Sequence, residues 1–590
     1  MAPELKTASS LAASWSASFH GAWRRCRKDV LAGLVVATII LVGGFSEVAF
    51  GGKTFDTSQD LVGVNACQSY VKDCPLTQSP SGSPIKAAND PRLDLAPQAW
   101  QLEPWAHVTS AALHKGTAPL WNPYEAAGAP LAANLSSGAL DPLLLAVNLH
   151  PTTLTWDVTF LIILVLDGLA TFVLARVVGL RRSASLAAAV TYGLSGFFFR
   201  SGNNSFFRAQ LYVPVTLLAV EWIFRRKGLA PVAGFALAVA GCLLVGMPEP
   251  AFIIMTGALI YGVARLFTGP RVDSRALTLV RLGVAGLLGL ALAAPLLLPF
   301  AEYLGQSKTF KEGAGTAADP WLGLLNWAAP KIQGPAPWTA TRDWVGAAAV
   351  MAAAIAVASP SRMRRHCGWP FLAVVLVVTL KIYGAPVISI IGHLPGASQT
   401  LWPSFGTPTI ALPLAMLAGI GVESVFTNGL DRRLLAALLV ARHRSELRLG
   451  FGAIGPGGWG IALLAASIVV VATAVAVRNG RAAGTIVVVA IVVELLLLVP
   501  RGFYSERRDP FPRQAWISAL SALARSPGNA RIFSTEGLLF PNTSGVYRLA
   551  DVRVLDAVYV NRYFDYFQTF VSHGTLDRWT AVGPTESYPS

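Results

Sequence analysis

The stretch from Asp94 to Asp141 gathers Asp94, Glu103, His107, His114, Trp121, Asn122, Tyr124, Glu125, Asn134 and Asp141. Carboxylates can take a proton from an attacking hydroxyl, and aromatic faces pack on the apolar CH faces of sugars, so this mixture suits a sugar site. His107, Trp121, Asn122, Tyr124 and Asn134 are the candidate substrate contacts within it. The competing reading is an ordinary solvated loop whose tryptophans anchor the chain at a membrane surface. Cys67 and Cys74 fall just upstream and are a disulfide candidate if that region faces an oxidising compartment, two unpaired thiols being the alternative. Cys26, Cys242 and Cys367 lack metal-ligand spacing, and there is no P-loop, no G-x-G-x-x-G after a strand and no H-E-x-x-H. This argues against a nucleotide-driven pump or a zinc protease. No metal site and no cofactor are assigned, and a divalent metal ion is left open.

The elements that position these residues are membrane spans. Of 590 residues 53% are hydrophobic and 13% charged, and the mean hydropathy of +0.52 is far above that of soluble chains. A helix needs about 20 apolar residues to cross a bilayer, and such runs recur. They fall at 30–50, 157–178, 184–200, 206–224, 229–246, 250–267, 277–300, 344–359, 370–390, 405–426, 457–477 and 483–500, about twelve spans in a mainly α-helical bundle. The net charge of +15 lies in short clusters between them rather than on one basic face, which reads as a topology signal and not as a nucleic-acid site. Arg24, Arg25, Arg27 and Lys28 put residues 1–29 in the cytoplasm, so the loop 51–156 lies outside. An uncleaved signal anchor fits residues 30–50 better than a cleaved signal peptide. Residues 94–115 have the texture of a helix lying at the membrane interface, and 501–590 read as a small soluble segment with strand-like stretches such as Arg548 to Val560. Counting spans puts that segment in the cytoplasm; a missed crossing between 427 and 456 would put it outside.

Pro119-Leu-Trp-Asn-Pro-Tyr124, followed by Gly128, Pro130 and Ala133-Asn134, resembles the first outer loop of the YfhO-like bacterial membrane proteins. The likeness continues in order through Leu194 to Phe197, Pro214, Glu221, Gly246 to Glu249, Pro295 to Glu302, and Asn542, Thr543, Tyr547, Asp551, Arg553 and Asp556. It covers nearly the whole chain. The resemblance implies a GT-C-type architecture over 30–500: a membrane glycosyltransferase that takes sugar from a polyprenyl-phosphate donor and acts outside the plasma membrane on a cell-envelope glycan. It also implies that residues 501–590 are extracytoplasmic, and that reading is adopted over the span count.

In that family the catalytic carboxylate lies in the first outer loop. Asp94 is the first choice for a general base, Glu103 the second and Asp90 the third, although Asp94 stands farther from the Pro104-Trp105 pair than the pattern has it and would also serve as a helix N-cap. The leaving phosphate calls for cations at the outer membrane edge, where Arg200, Arg208 with Gln210 beside it, Lys308 and Lys311 are candidates. Glu249 and Glu302 end spans within reach of the same face, Glu249 departing from the glutamine usual in the family. Asp167, Lys381 and Glu494 lie inside spans, where a charge must be paired or face water; Asp167 and Lys381 are read as structural partners. The alternatives to an enzyme are a flippase for lipid-linked glycans, which would hold its charges near mid-membrane and often repeat internally, and a non-catalytic envelope-assembly protein.

Overall fold

The computed structural model describes residues 27–58, 97–309, 314–328, 343–359, 367–393, 397–427, 468, 479–511, 515–524, 530–533, 539, 541–556 and 558–569. Six helices among them are long and apolar enough to span a membrane: Thr153–Val178, Ser205–Arg225, Pro248–Phe267, Arg275–Gly305, Thr407–Phe426 and Gly480–Leu498. The protein is a multi-pass membrane protein built as a helical bundle.

Several expected spans are altered, each for a local reason. The run 184–200 breaks into Arg182–Gly193 and Gly196–Ser201, because Ser195 is extended (φ −66°, ψ 152°) and the Gly196 N–H donates to the Trp344 carbonyl instead of continuing the helix. The run 370–390 bends by 82° between Trp369–Ile382 and Pro386–His393, where Gly384 takes φ +73° and Pro386 cannot donate a helical hydrogen bond. Ala347–Ala358 has only 12 residues, about 18 Å of helix, and does not cross about 30 Å of hydrocarbon alone. The expected span 457–477 lies outside the described residues apart from Ile468.

Close approach of the helices rests on small residues, as expected where lipid gives no hydrophobic drive to helix pairing. A Cβ on Gly421 of Thr407–Phe426 would stand 1.8 Å from the carbonyl oxygen of Ala352, and one on Gly168 would stand 2.4 Å from Ile40. The first helix, running over 27–38, continues as a π-helical turn, Ile39–Gly44, that seats Ile40 against Gly168 and Gly193.

Charge collects at the two ends of the bundle. At one end Asp29 pairs with Arg176 and Arg182, Arg181 with Glu423, Glu221 with Arg225 and Arg265, and Asp273 with Arg281. Two of the charges expected inside spans are satisfied by backbone: Glu494 accepts the N–H groups of Ala347 (2.7 Å) and Ala348 (2.8 Å), and Lys381 Nζ donates to the Gly315 carbonyl at 2.6 Å. Both oxygens of Asp167 are buried without a hydrogen-bond partner among the described residues.

At the other end the first loop and the tail are one structure. Lys53–Thr54 pairs antiparallel with Ser505–Glu506, Trp121–Asn122 with Ala129–Pro130, and Ser307–Thr309 with Val558–Val560. Among the described residues of 548–560, the strand is Val558–Val560, with isolated bridge positions that include the pairing of Ile532 with Asp551. The reason is that Arg548 sits at φ +59° and the Asp551 N–H is spent on the Tyr124 carbonyl, so the backbone turns into the first loop instead of forming a ladder.

Replacing Gly421 by Ala forces the two helices apart and costs about 1–3 kcal/mol. The thermal unfolding midpoint of the detergent-solubilised protein therefore falls; an unchanged midpoint contradicts the close approach.

Candidate functional site

The site is built from the residues that leave the first helix. Gly52, at φ +70°, turns the chain into the strand Lys53–Thr54, and Phe55 then buries its ring between Phe45, Phe160 and Tyr504. Asp157, one turn into the helix Thr153–Val178, holds this loop: its Oδ1 accepts from Thr54 Oγ1 (2.8 Å) and from the Phe55 N–H (2.9 Å). The other oxygen of Asp157 accepts from Arg507 Nε of the tail at 2.9 Å. Asp56 is thereby fixed inside the protein, 0% exposed. Its carboxylate accepts the Ser58 N–H (2.7 Å) and Thr153 Oγ1 (3.3 Å).

Glu103 meets it from the helix Glu103–His114 and is also 0% exposed. Burial, followed by the charge of Asp56, holds the Glu103 carboxyl well above the usual carboxylate range. Burial raises Asp56 as well, against the hydrogen bonds from Ser58 and Thr153 that favour its ionised form. Two buried carboxyls near each other disfavour ionisation of both, and the rise is larger at Glu103, whose two oxygens have no hydrogen-bond partner among the described residues. His107 Nε2 stands 3.8 Å from Glu103, and burial pushes its pKa down to about 4 despite Asp509, so the ring is neutral near pH 7. The arrangement sets Asp56, the carboxyl held by hydrogen bonds that favour its ionised form, beside Glu103, and makes Asp56 the better placed of the two to take a proton from a hydroxyl brought against it.

Asp56 is the residue that reading the sequence missed. The signal was the Thr54-Phe-Asp-Thr-Ser58 run, in which a carboxylate flanked by hydroxyls folds onto its own backbone directly after the first span. Glu103, an expected base, is in the site; Asp94, Asp90, Cys67, Cys74 and Lys311 lie outside the described residues.

Of the two expected arginines, Arg200 has the more capacity to spare, two nitrogens without a hydrogen-bond partner among the described residues against one, Nη1, on Arg208. Arg200 is buried over the Phe197 ring, 3.5 Å from Asp343 Oδ2 and 3.4 Å from the Ser404 carbonyl, while its Nε and Nη1 have no hydrogen-bond partner among the described residues. Its loop reaches the Asp56 loop directly, because Asn203 Nδ2 donates to Thr57 Oγ1 at 3.5 Å. Arg208 is committed elsewhere, to a fully buried ion pair with Asp141 (2.7 Å) and to the Val245 carbonyl (3.1 Å). Gln210 donates to Phe206 and takes the Tyr192 hydroxyl on its own carbonyl. Glu249 is half-buried and accepts from the Leu401 N–H at 3.3 Å, Glu302 is exposed at the end of Arg275–Gly305, and Lys308 lies in the strand paired with Val558–Val560.

The Pro119–Tyr124 motif forms a second polar cluster against the same helix, Glu103–His114. Trp121 is 55% exposed and covers Gly128, whose φ of +112° and contact with the indole exclude a Cβ. Asn122 Oδ1 accepts the Tyr124 N–H (2.9 Å), turning the chain so that Glu125 is buried against Trp105 Nε1 (3.1 and 3.2 Å). Asn134 Nδ2 donates to Asp556 of the tail at 2.5 Å, and Asp551 binds Arg553 with both oxygens. The structure thus joins Tyr124 and Asn134 to the tail and turns Asn122 onto the Tyr124 backbone, rather than bringing them to Glu103. Among the described residues no group of three or more histidine, cysteine or carboxylate side chains could hold a metal ion.

No protein-family model matches the chain, and no curated protein matches it. Among solved structures it is similar to ArnT from Cupriavidus metallidurans bound to undecaprenyl phosphate, at 11% identity and a TM-score of 0.36 over 88% of this chain and 85% of that one. It is also similar to ArnT from Cupriavidus metallidurans in the apo state, at 14% identity and a TM-score of 0.32 over 68% and 72% of the respective chains. Likenesses of this size assign neither a family nor an activity.

Burial, with Asp556 next, pushes Glu125 from 4.5 up to about 8. The folded protein therefore binds this proton more tightly than the unfolded chain does. The stability so contributed is complete below about pH 4.5 and is lost as pH rises through about 8. Glu125→Gln should flatten that part of the pH profile of thermal unfolding; an unchanged slope between pH 5 and 8.5 contradicts the assignment.

Proposed function

We propose that this protein is a GT-C-type membrane glycosyltransferase that moves a sugar from a polyprenyl-phosphate donor to a cell-envelope glycan, at the bundle end that carries Asp56. The observation that carries this reading is a buried pair of carboxyls, Asp56 and Glu103, whose loop is bonded through Thr57 and Asn203 to the segment that carries Arg200, a buried guanidinium with N–H groups unused among the described residues. The acceptor hydroxyl gives its proton to the Asp56 carboxylate as its oxygen attacks the anomeric carbon. The bond from that carbon to the phosphate oxygen breaks, and polyprenyl phosphate leaves with the electron pair toward Arg200. Attack opposite the leaving group inverts the anomeric centre. Glu103 is the neighbouring carboxyl, and its burial beside Asp56 favours its own protonated form.

The same proposal includes the YfhO-like kinship, a cytoplasmic N-terminus and an extracytoplasmic segment 501–590. Supporting the last point, the strand and hydrogen-bond pairings place the described tail on the same end as residues 51–58 and 121–134. The flippase alternative has one observation in its favour, the unpartnered Asp167 about halfway along a membrane helix.

Purified protein supplied with polyprenyl-phosphate sugar and envelope acceptor tests the reading. Asp56→Asn lowers kcat by about 10²- to 10⁴-fold, the range for loss of a general base. Glu103→Gln, which retains a donor toward Asp56, lowers it less, and Arg200→Gln raises KM for the lipid donor. Full transfer by Asp56→Asn with loss in Asp94→Asn returns the base role to Asp94. A wild type that transfers no sugar but carries lipid-linked glycan across vesicles replaces the enzyme by the flippase.

A further inference from the structure

A cavity lies at the opposite end of the bundle, about 30 Å along the helix from Asp157, taking 1.5 Å per residue to Val177. It encloses ≈ 730 Å³ and is lined by Val177, Leu218 and Trp222 on one side and by Arg225, Arg226 and Arg271 at its mouth. Its size falls within the about 300–1,000 Å³ typical of ligand sites.

The charges around it do not balance. Glu221 is taken up by Arg225 (2.5 Å), Arg265 (2.7 Å) and the Tyr261 hydroxyl (2.8 Å), and Asp273 by Arg281 (2.5 Å). Asp29 is shared between Arg176 and Arg182. Arg226 and Arg271 have no carboxylate partner among the described residues, and Arg271 donates only to the Leu266 carbonyl at 3.1 Å. The mouth therefore presents two uncompensated guanidinium groups, held in place by the backbone around them. Arg281 donates to the Arg226 carbonyl at 2.8 Å, and the Val272 N–H donates to the Phe224 carbonyl at 3.1 Å.

The walls define the rest of the occupant. Leu218 lies seven residues before Arg225 in the span Ser205–Arg225, so the cavity runs about 10 Å from the cations into the depth of the hydrocarbon. Trp222, 42% exposed and packed on Gly234, stands between the two zones, where an indole meets both the headgroup layer and the acyl chains. A soluble anion would satisfy the arginines and leave the apolar walls facing nothing. A neutral lipid would leave the arginines unpaired. An anionic lipid fills both.

We propose that this cavity binds an anionic phospholipid drawn from the surrounding leaflet, its phosphate between Arg226 and Arg271 and its acyl chain against Leu218 and Val177. The site is separate from the one assigned to the polyprenyl-phosphate donor and stands whether or not the transferase reading holds.

The test is native mass spectrometry of the full-length protein in detergent, supplied in parallel with phosphatidylglycerol, phosphatidylcholine, polyprenyl phosphate or inorganic phosphate. Phosphatidylglycerol is retained by the wild type and phosphatidylcholine is not. Each cation near an anionic headgroup contributes about fivefold in affinity, so Arg226→Gln with Arg271→Gln weakens retention by about 25-fold, while the double lysine variant restores most of it. Val177→Phe fills the apolar part with every arginine in place, and it too reduces retention, which keeps the test open if the double glutamine variant fails to fold. Equal retention by wild type and variants overturns the proposal. So does displacement of the lipid by inorganic phosphate at matched concentration, which would make this a soluble-anion site, or selective loss of polyprenyl phosphate in the double glutamine variant.

Discussion

Asp157 joins three parts of the chain that are far apart in sequence. One oxygen receives the hydroxyl and amide of the loop that leaves the first helix; the other receives the guanidinium of Arg507 after the last described span. A carboxylate taken out of water is costly unless its lone pairs are met, and here the backbone of Phe55, the Thr54 hydroxyl and a full positive charge meet them. Asp56 has its place because Thr54 and Phe55 are held on one side and Thr153, from the same turn of helix as Asp157, on the other. The proposed base, the tail docked on the first loop and the pairing of Lys53–Thr54 with Ser505–Glu506 follow from this one buried group.

The bilayer imposes the segregation seen elsewhere. Apart from Asp167, the charged side chains named within the bundle either bind backbone, as Glu494 and Lys381 do, or pair at its ends. The two ends differ in kind. At the Asp56 end carboxyls are buried near one another and their pKa values are raised, a condition that suits exchange of a proton with a hydroxyl. At the other end arginines outnumber the carboxylates available to them among the described residues, a condition that attracts anions. The same helices, Thr153–Val178 and Ser205–Arg225, carry a contribution to both.

Much of this was legible in the chain itself. Apolar runs of about 20 residues fixed where most membrane helices lie, since no other backbone structure meets its hydrogen bonds in hydrocarbon without closing a barrel. Glu103 was recognisable as a carboxyl beside an interfacial helix, and Arg200 as a cation at a span end. The identity of their partners was not. Arg208 looked as available as Arg200, yet it is held by Asp141, 67 residues away in sequence and 2.7 Å away in space, whereas the nearest carboxylate to Arg200 among the described residues, Asp343, stands off at 3.5 Å. Trp121 and Asn122 looked like substrate contacts because their types suit sugars, yet the turn at Gly128 uses the indole as a lid and the amide as a cap.

By itself the sequence determined a multi-pass helical membrane protein with its polar loops concentrated at one end, because hydropathy and charge clusters act locally and add up along the chain. Tertiary structure decided which charges are spent and which remain usable. Asp56 stands in a run of glycine, serine and threonine that reads as linker until Glu103, Thr153 and Asp157 close on it. Arg226 and Arg271 read as topology signals until the walls of a cavity place them at its mouth. The energy of a charge in a membrane protein is set by what lies within a few ångströms of it, and those neighbours come from segments that only folding brings together.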